Sequence, residues 1–151
     1  MSGVVNAIYI APEVGADMSR HTSAELVAGK GITGDRHFGN RFDDQVTLID
    51  ADAIAAVNAE TGWALTPEAL RRNILTTGVD LNQWETSRFR VGGLLLEGVE
   101  LAEPCAYLGG RLEDASRSAA DIVRVLTGRA GLRARVIEGG TVASGDTLGP
   151  A

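Results

Sequence analysis

The chain has 151 residues, 44% of them hydrophobic, which is enough for one domain, residues 1–151, with a core of its own. Its single cysteine excludes an intrachain disulfide and fits a reducing, cytoplasmic setting. Met1–Ile10 lacks the pattern of a secretion leader, and no window approaches the ~18 apolar residues of a membrane span. A net charge of −6 disfavours nucleic acid and anionic membrane surfaces as partners, so an anionic ligand requires a local basic pocket.

Nineteen glycines, spread along the whole length, predict many turns between short elements. In chain order, strands are expected at Val4–Ile10, Glu25–Val27 and Gln45–Ile49. Asp50 then caps a helix running to about Glu60, with Ile54 and Val57 on one side and Gly62 to end it. Thr66-Pro67-Glu68 reads as an N-cap, an N1 proline and an acidic first turn, opening a short helix that carries Leu70, Arg71 and Arg72. Strands follow at Asn73–Thr76, Arg88–Val91 and Leu94–Glu97, and Gly98 suggests a hairpin within Leu96–Leu101. Glu113–Ser118 is a polar connection. A helix begins near Ser118 and presents Ile122, Val125 and Leu126 on one face before Gly128. Strands at Leu132–Glu138 and Asp146–Leu148 complete the series. Strands without regular β-helix-β alternation predict a mainly β fold, a barrel or strongly bent sheet with peripheral α-helices.

Chemistry concentrates in a few segments. Cys105 stands in Glu103-Pro104-Cys105, just after an apolar run. Proline fixes its own φ, so this segment leaves the strand and presents the thiol on a rigid turn. A free cysteine also serves as a small apolar core residue, and burial is the alternative reading. A reactive thiolate or soft-metal ligand needs nearby positive charge, for which Arg36, His37, Arg71 and Arg72 are the candidates. Gly29–Gly39 brings glycines next to Arg36, a loop able to offer backbone N–H groups and a guanidinium fork to an anion, although its spacing is not that of a Walker phosphate loop.

Arg71 and Arg72 face different directions in any local structure, so one could face a ligand while the other supports carboxylates or backbone carbonyls, the alternative being a solvated helix end whose basic side chains complement the macrodipole. Asn73 adds donors and acceptors. Strand alternation puts Gln45 and Thr47 on one face, where either could line a cavity, the alternative being a strand that is simply core. Cys105 with His37 also permits nucleophilic Cys-His chemistry, whereas His21 and His37 lack the spacing of a zinc site.

Taken in order, Gly31-Ile32-Thr33-Gly34-Asp35-Arg36-His37, Gln45-Val46-Thr47-Leu48-Ile49, Arg71-Arg72-Asn73-Ile74, Arg88-Phe89-Arg90-Val91-Gly92, Glu103-Pro104-Cys105 and Gly145-Asp146-Thr147-Leu148 resemble the MOSC family. That domain is named for the C-terminal portion of molybdenum cofactor sulfurase, and the likeness is to its small stand-alone bacterial members. The resemblance implies a β-barrel-like fold and a pocket for the molybdenum cofactor (molybdopterin), a pterin bearing a phosphate and a dithiolene-bound metal. It implies that Cys105 is the family cysteine, a metal ligand in reductase members and a proposed persulfide carrier elsewhere. Arg36, Arg72 and Asn73 then hold the phosphate or pterin, with His37 and Arg71 as further cofactor-binding candidates. Tyr107 stands where many relatives carry histidine, and Asp44 precedes Gln45 where a basic residue is common. Glu103, if its carboxylate came close, would oppose ionisation of the thiol.

The functional expectation from this resemblance is a molybdenum-dependent oxidoreductase acting on N-hydroxylated substrates. Its electrons would come from a separate reductase, because no flavin, haem or iron–sulfur motif is evident. The alternative is a sulfur-carrier or cofactor-binding module with a persulfide on Cys105 and a cysteine desulfurase as partner. Pyridoxal phosphate is not expected.

Overall fold

The computed structural model describes residues 3–39 and 45–151, so Asp44 lies outside the described residues. Eleven strands are present there: β1 (Gly3–Ile10), β2 (Ser19–His21), β3 (Ser23–Val27), β4 (Gly31–Ile32), β5 (Val46–Asp50), β6 (Ile74–Thr77), β7 (Arg88–Val91), β8 (Leu94–Leu101), β9 (Leu132–Glu138), β10 (Gly140–Ala143) and β11 (Thr147–Pro150). Four helices accompany them: α1 (Ala51–Thr61), α2 (Pro67–Leu70), α3 (Ala106–Leu112) and α4 (Ala119–Leu126).

Seven strands close a barrel in the order β1-β11-β7-β8-β9-β5-β6 and back to β1. Its neighbours are antiparallel except β5 and β6, a parallel pair whose connection runs through α1 and α2. β2 extends the sheet beyond β1, and β3 pairs with β4 and β10 in a small separate sheet. The fold is therefore mainly β with peripheral helices, as the turn density of the sequence predicts.

Two apolar layers hold it together. Alternate residues of the strands, among them Val5, Ile8, Val46, Leu48, Ile74, Phe89, Leu96, Leu132 and Val136, fill the barrel. The opposite faces of β1, β5 and β6 supply Ala7, Tyr9, Ile49 and Leu75, which pack against Val57 of α1, Leu70 of α2, Leu108 and Leu112 of α3, and Ile122 and Leu126 of α4. The central strands are thus apolar on both faces, which is why they read as near-continuous hydrophobic runs.

The expected caps are present. Asp50 accepts from the Asp52 N–H at 2.9 Å, Thr66 from Ala69 at 3.3 Å and Ser118 from Asp121 at 3.1 Å. Gly62 ends α1 in the left-handed region at φ 76°.

Three expectations are corrected. α2 stops at Leu70 rather than carrying both arginines, because Arg71 itself turns left-handed, with φ 59°. No hairpin opens at Gly98: β8 is continuous, and the glycine is required because a Cβ there would collide with the Trp84 carbonyl. The hairpin lies instead between β7 and β8, at Gly92-Gly93. Finally, the segment after Cys105 is helix α3, which the sequence reading does not anticipate.

Candidate functional site

A cavity of about 260 Å³ opens where the barrel meets the helical layer. Its walls come from six separate stretches of chain: the β1–β2 loop (Val14, Gly15), the segment after β4 (Arg36, His37), β5 (Thr47), the α2–β6 junction (Arg71, Arg72), the β8–α3 segment with α3 (Glu103, Cys105, Tyr107, Leu108), and β9 (Arg133). Four guanidinium groups and the only thiol of the chain therefore face one space, although the whole molecule is acidic.

The thiol is exposed, not part of the core. Pro104 is buried and anchors the turn, while Cys105 occupies the N-cap position of α3 and makes no side-chain capping bond. The Glu103 carboxylate is committed elsewhere, accepting from the Gly128 N–H at 3.0 and 3.2 Å.

The arginines divide their labour. Arg72 donates from Nε to the Ala130 carbonyl at 2.7 Å and from Nη2 to the Ala102 carbonyl at 2.9 Å, bracing the two chain segments on either side of the thiol turn. Burial, with Arg133 and Arg36 close by, pulls the Arg72 guanidinium down to about 10, and Cys105 acts in the opposite direction. Arg36 pairs with buried Asp35 at 3.2 Å and donates to the Arg71 carbonyl at 3.0 Å. Arg71 is only 5% exposed; its Nη1 donates to the Ala16 carbonyl at 2.8 Å, but its buried Nη2 has no hydrogen-bond partner among the described residues. Burial and the charges of Arg36 and Arg111 hold Arg71 below the usual arginine range. A buried cationic donor left open beside two further cations is what an anion would satisfy.

Two other expected residues have different roles. Asn73 is fully buried and does not line the cavity. Its Oδ1 accepts from the Thr47 N–H and hydroxyl at 3.0 and 3.1 Å, and its Nδ2 donates to the Tyr9 carbonyl at 3.0 Å, which fastens the start of β6 between β5 and β1. Gln45 is likewise structural, bridging the Gly29 carbonyl and the Val136 N–H. His37 lines the cavity beside Asp35, whose Oδ2 accepts from the His37 N–H at 3.1 Å. His21 lies on β2, bonded to Ser19, and is not a lining residue. Arg133, Arg111 and the β1–β2 loop are not among the residues singled out from sequence. Arg133 reads there as one more exposed strand cation, and its ion pair with Glu100 at 2.9 Å fits that appearance.

A larger cavity of about 360 Å³ is lined by Asp50, Asp52, Asp80, Asn82 and Arg129, among others. Each of its three carboxylates already accepts from a backbone N–H, at Asp52, Gly78 and Asn82 respectively: Asp50 and Asp80 cap helical turns, and Asp52 ties α1 to the loop after β6. The thiol and the four guanidinium groups line the smaller cavity.

A model of the MOSC domain matches residues 33–149 of this chain. The chain belongs to the MOSC domain family. That family is associated in general with binding of the molybdenum cofactor. The fold is similar to the YuaD protein of Bacillus subtilis, with a TM-score of 0.86 at 22% identity over 98% of this chain and 94% of that one. It is similar also to YiiM of Geobacillus stearothermophilus, with a TM-score of 0.72 at 14% identity over 97% of this chain and 73% of that one. YiiM of Escherichia coli gives 0.71 at 22% identity over 98% and 68% of the two chains. A search of the curated proteins found no match.

Proposed function

We propose that this MOSC protein binds the molybdenum cofactor in the arginine-lined cavity, with Cys105 as the metal ligand, and reduces N-hydroxylated substrates with electrons delivered by a partner reductase. The observation that carries this reading is the open Nη2 of buried Arg71, which lines the same cavity as the exposed thiol. A cofactor with a phosphate at one end and a soft metal at the other matches that donor set: guanidinium for the phosphate, thiolate for the metal.

When bound, the cofactor supplies the two-electron, oxygen-accepting redox centre that protein side chains lack. The chain contributes the rest. Arg71 neutralises the phosphate, Arg36 fixes Arg71, and Arg72 braces the thiol turn. His37 contributes its ring to the cavity wall. Asn73, despite its place in the family segment, acts through the fold rather than on the ligand.

The exposure of Cys105 also favours a second reading, in which the thiolate accepts sulfane sulfur from a cysteine desulfurase and carries it as a persulfide. One purification separates the two. Protein from a molybdate-supplemented host is analysed for molybdenum, for pterin and for intact mass. Molybdenum near one per chain that is lost in Cys105→Ser supports the first reading. Full metal occupancy in Cys105→Ser removes the proposed ligand, whereas a reducible mass gain of one sulfur atom without metal supports the carrier.

A further inference from the structure

The β1–β2 loop, residues 11–18, is tied to the cavity arginines at three points. The Arg36 N–H donates to the Ala11 carbonyl at 2.8 Å, Arg71 Nη1 to the Ala16 carbonyl at 2.8 Å, and Arg36 Nη1 reaches the Met18 Sδ at 3.5 Å. Its tip bends through Gly15, at φ 85°, and places Val14 at the cavity with 79% of that residue's surface in water. An apolar residue so exposed at the mouth of a cationic cavity is not held there by packing.

We propose that this loop is an anion-gated lid. Occupation of Arg71 Nη2 by a phosphate-bearing ligand closes it, and loss of the ligand releases it. The reason is the dual use of one planar guanidinium. With the loop in place, Nη1 holds the Ala16 carbonyl while Nη2 is buried and has no partner among the described residues. Closing over an empty cavity therefore strands a charged donor in the field of Arg36 and Arg111, with Tyr107 and Asp17 partial offsets. An anion on Nη2 removes that penalty and fixes the plane in which Nη1 meets Ala16. Ligand and closed loop favour each other through the same group, and linkage makes the effect reciprocal. The lid regulates the site assigned above and rests on that reading only for the identity of the natural ligand.

The test is hydrogen exchange of the full chain, prepared from a host unable to make the pterin cofactor, in inorganic phosphate and in chloride of equal ionic strength. Phosphate is expected to slow exchange of the Val14–Asp17 amides about tenfold, within the 5–150-fold typical of coupled sites. Arg71→Lys keeps a charge for the anion but cannot serve the anion and Ala16 in one plane. Its phosphate affinity is expected to fall, and at phosphate concentrations that saturate the variant the loop is no longer slowed. Circular dichroism of the variant establishes that it is folded. Absence of phosphate binding, binding without slower exchange in the parent chain, or equal protection in Arg71→Lys each overturns the lid. A chain that never takes up molybdenum cofactor but whose loop still answers phosphate fails as the proposed enzyme and keeps the lid. Cofactor-loaded protein with an unresponsive loop shows the reverse.

Discussion

The Arg36 guanidinium donates through Nη2 to the backbone carbonyl of Arg71 at 3.0 Å, so one cavity cation holds another in place. Arg71 has φ 59°, a left-handed conformation that costs a non-glycine residue about 1–2 kcal/mol. The bond from Arg36 stabilises the residue that adopts it. Arg36 is 8% exposed at its side chain and also pairs with Asp35. Arg36→Ala is expected to lower unfolding free energy by about 2–3 kcal/mol in urea and to weaken phosphate binding, with Arg36→Lys recovering part of the loss. Full stability in the alanine variant would show that Arg71 holds its geometry unaided.

Asn73 joins three strands of the barrel through its one amide. Replacing it with alanine leaves the Thr47 N–H and the Tyr9 carbonyl buried without their partner. Asn73→Ala is expected to cost about 3 kcal/mol, summed over those groups. The urea midpoint should fall with little change in m-value.

Cys105 sits exposed at an N-cap position without a side-chain acceptor. A serine hydroxyl there can accept from the first turn of α3, so Cys105→Ser is expected to leave stability unchanged or to raise it by about 0.5 kcal/mol. On the proposed function the same variant loses its molybdenum. Thermal melting and metal analysis of one preparation then separate a chemical role from a structural one, since a packed core thiol would show the opposite pattern.

Asp50 caps α1 from a buried position, and burial raises its carboxyl above the ordinary 3.8, outweighing the bonds it accepts from Asp52, Thr76 and Val79. A raised folded-state value means that the folded chain binds the proton more tightly than the unfolded chain. Its contribution is greatest below 3.8 and is lost as pH rises through the folded value. Asp50→Asn keeps a capping oxygen and carries no charge. Its melting temperature relative to the parent is therefore expected to rise between pH 4 and pH 7. A difference independent of pH would mean that the carboxyl titrates as in water.

Much of the barrel was legible because β1, β5, β6, β8 and β9 each bury apolar side chains that propensity favours in strands. β2 left no such trace: all three of its residues are exposed and it is held only by pairing to β1. The two-residue β4 is too short to show a period. α3 was hidden by its own glycines. Gly109 reads as a helix breaker, yet here it permits close contact with α4, where a Cβ would come within 2.9 Å of the Ala119 carbonyl. At the site, the sequence identified the thiol and the charged segments but not their partners. Arg72 meets carbonyls 58 and 30 residues away, and Asn73 a carbonyl 64 residues away. Donor capacity is visible in a sequence; whether the fold has already used it is not.

Cys105 begins a helix whose anchors, Leu108 and Leu112, belong to the helical layer and not to the barrel interior. The sulfur thus rides on the thinner of the two shells. On gentle heating, its reactivity toward a thiol reagent should become indiscriminate while the barrel's circular dichroism is still intact. Loosening of the thiol turn would then precede melting, and the temperature at which it begins would be set by the grip of α3 on α4.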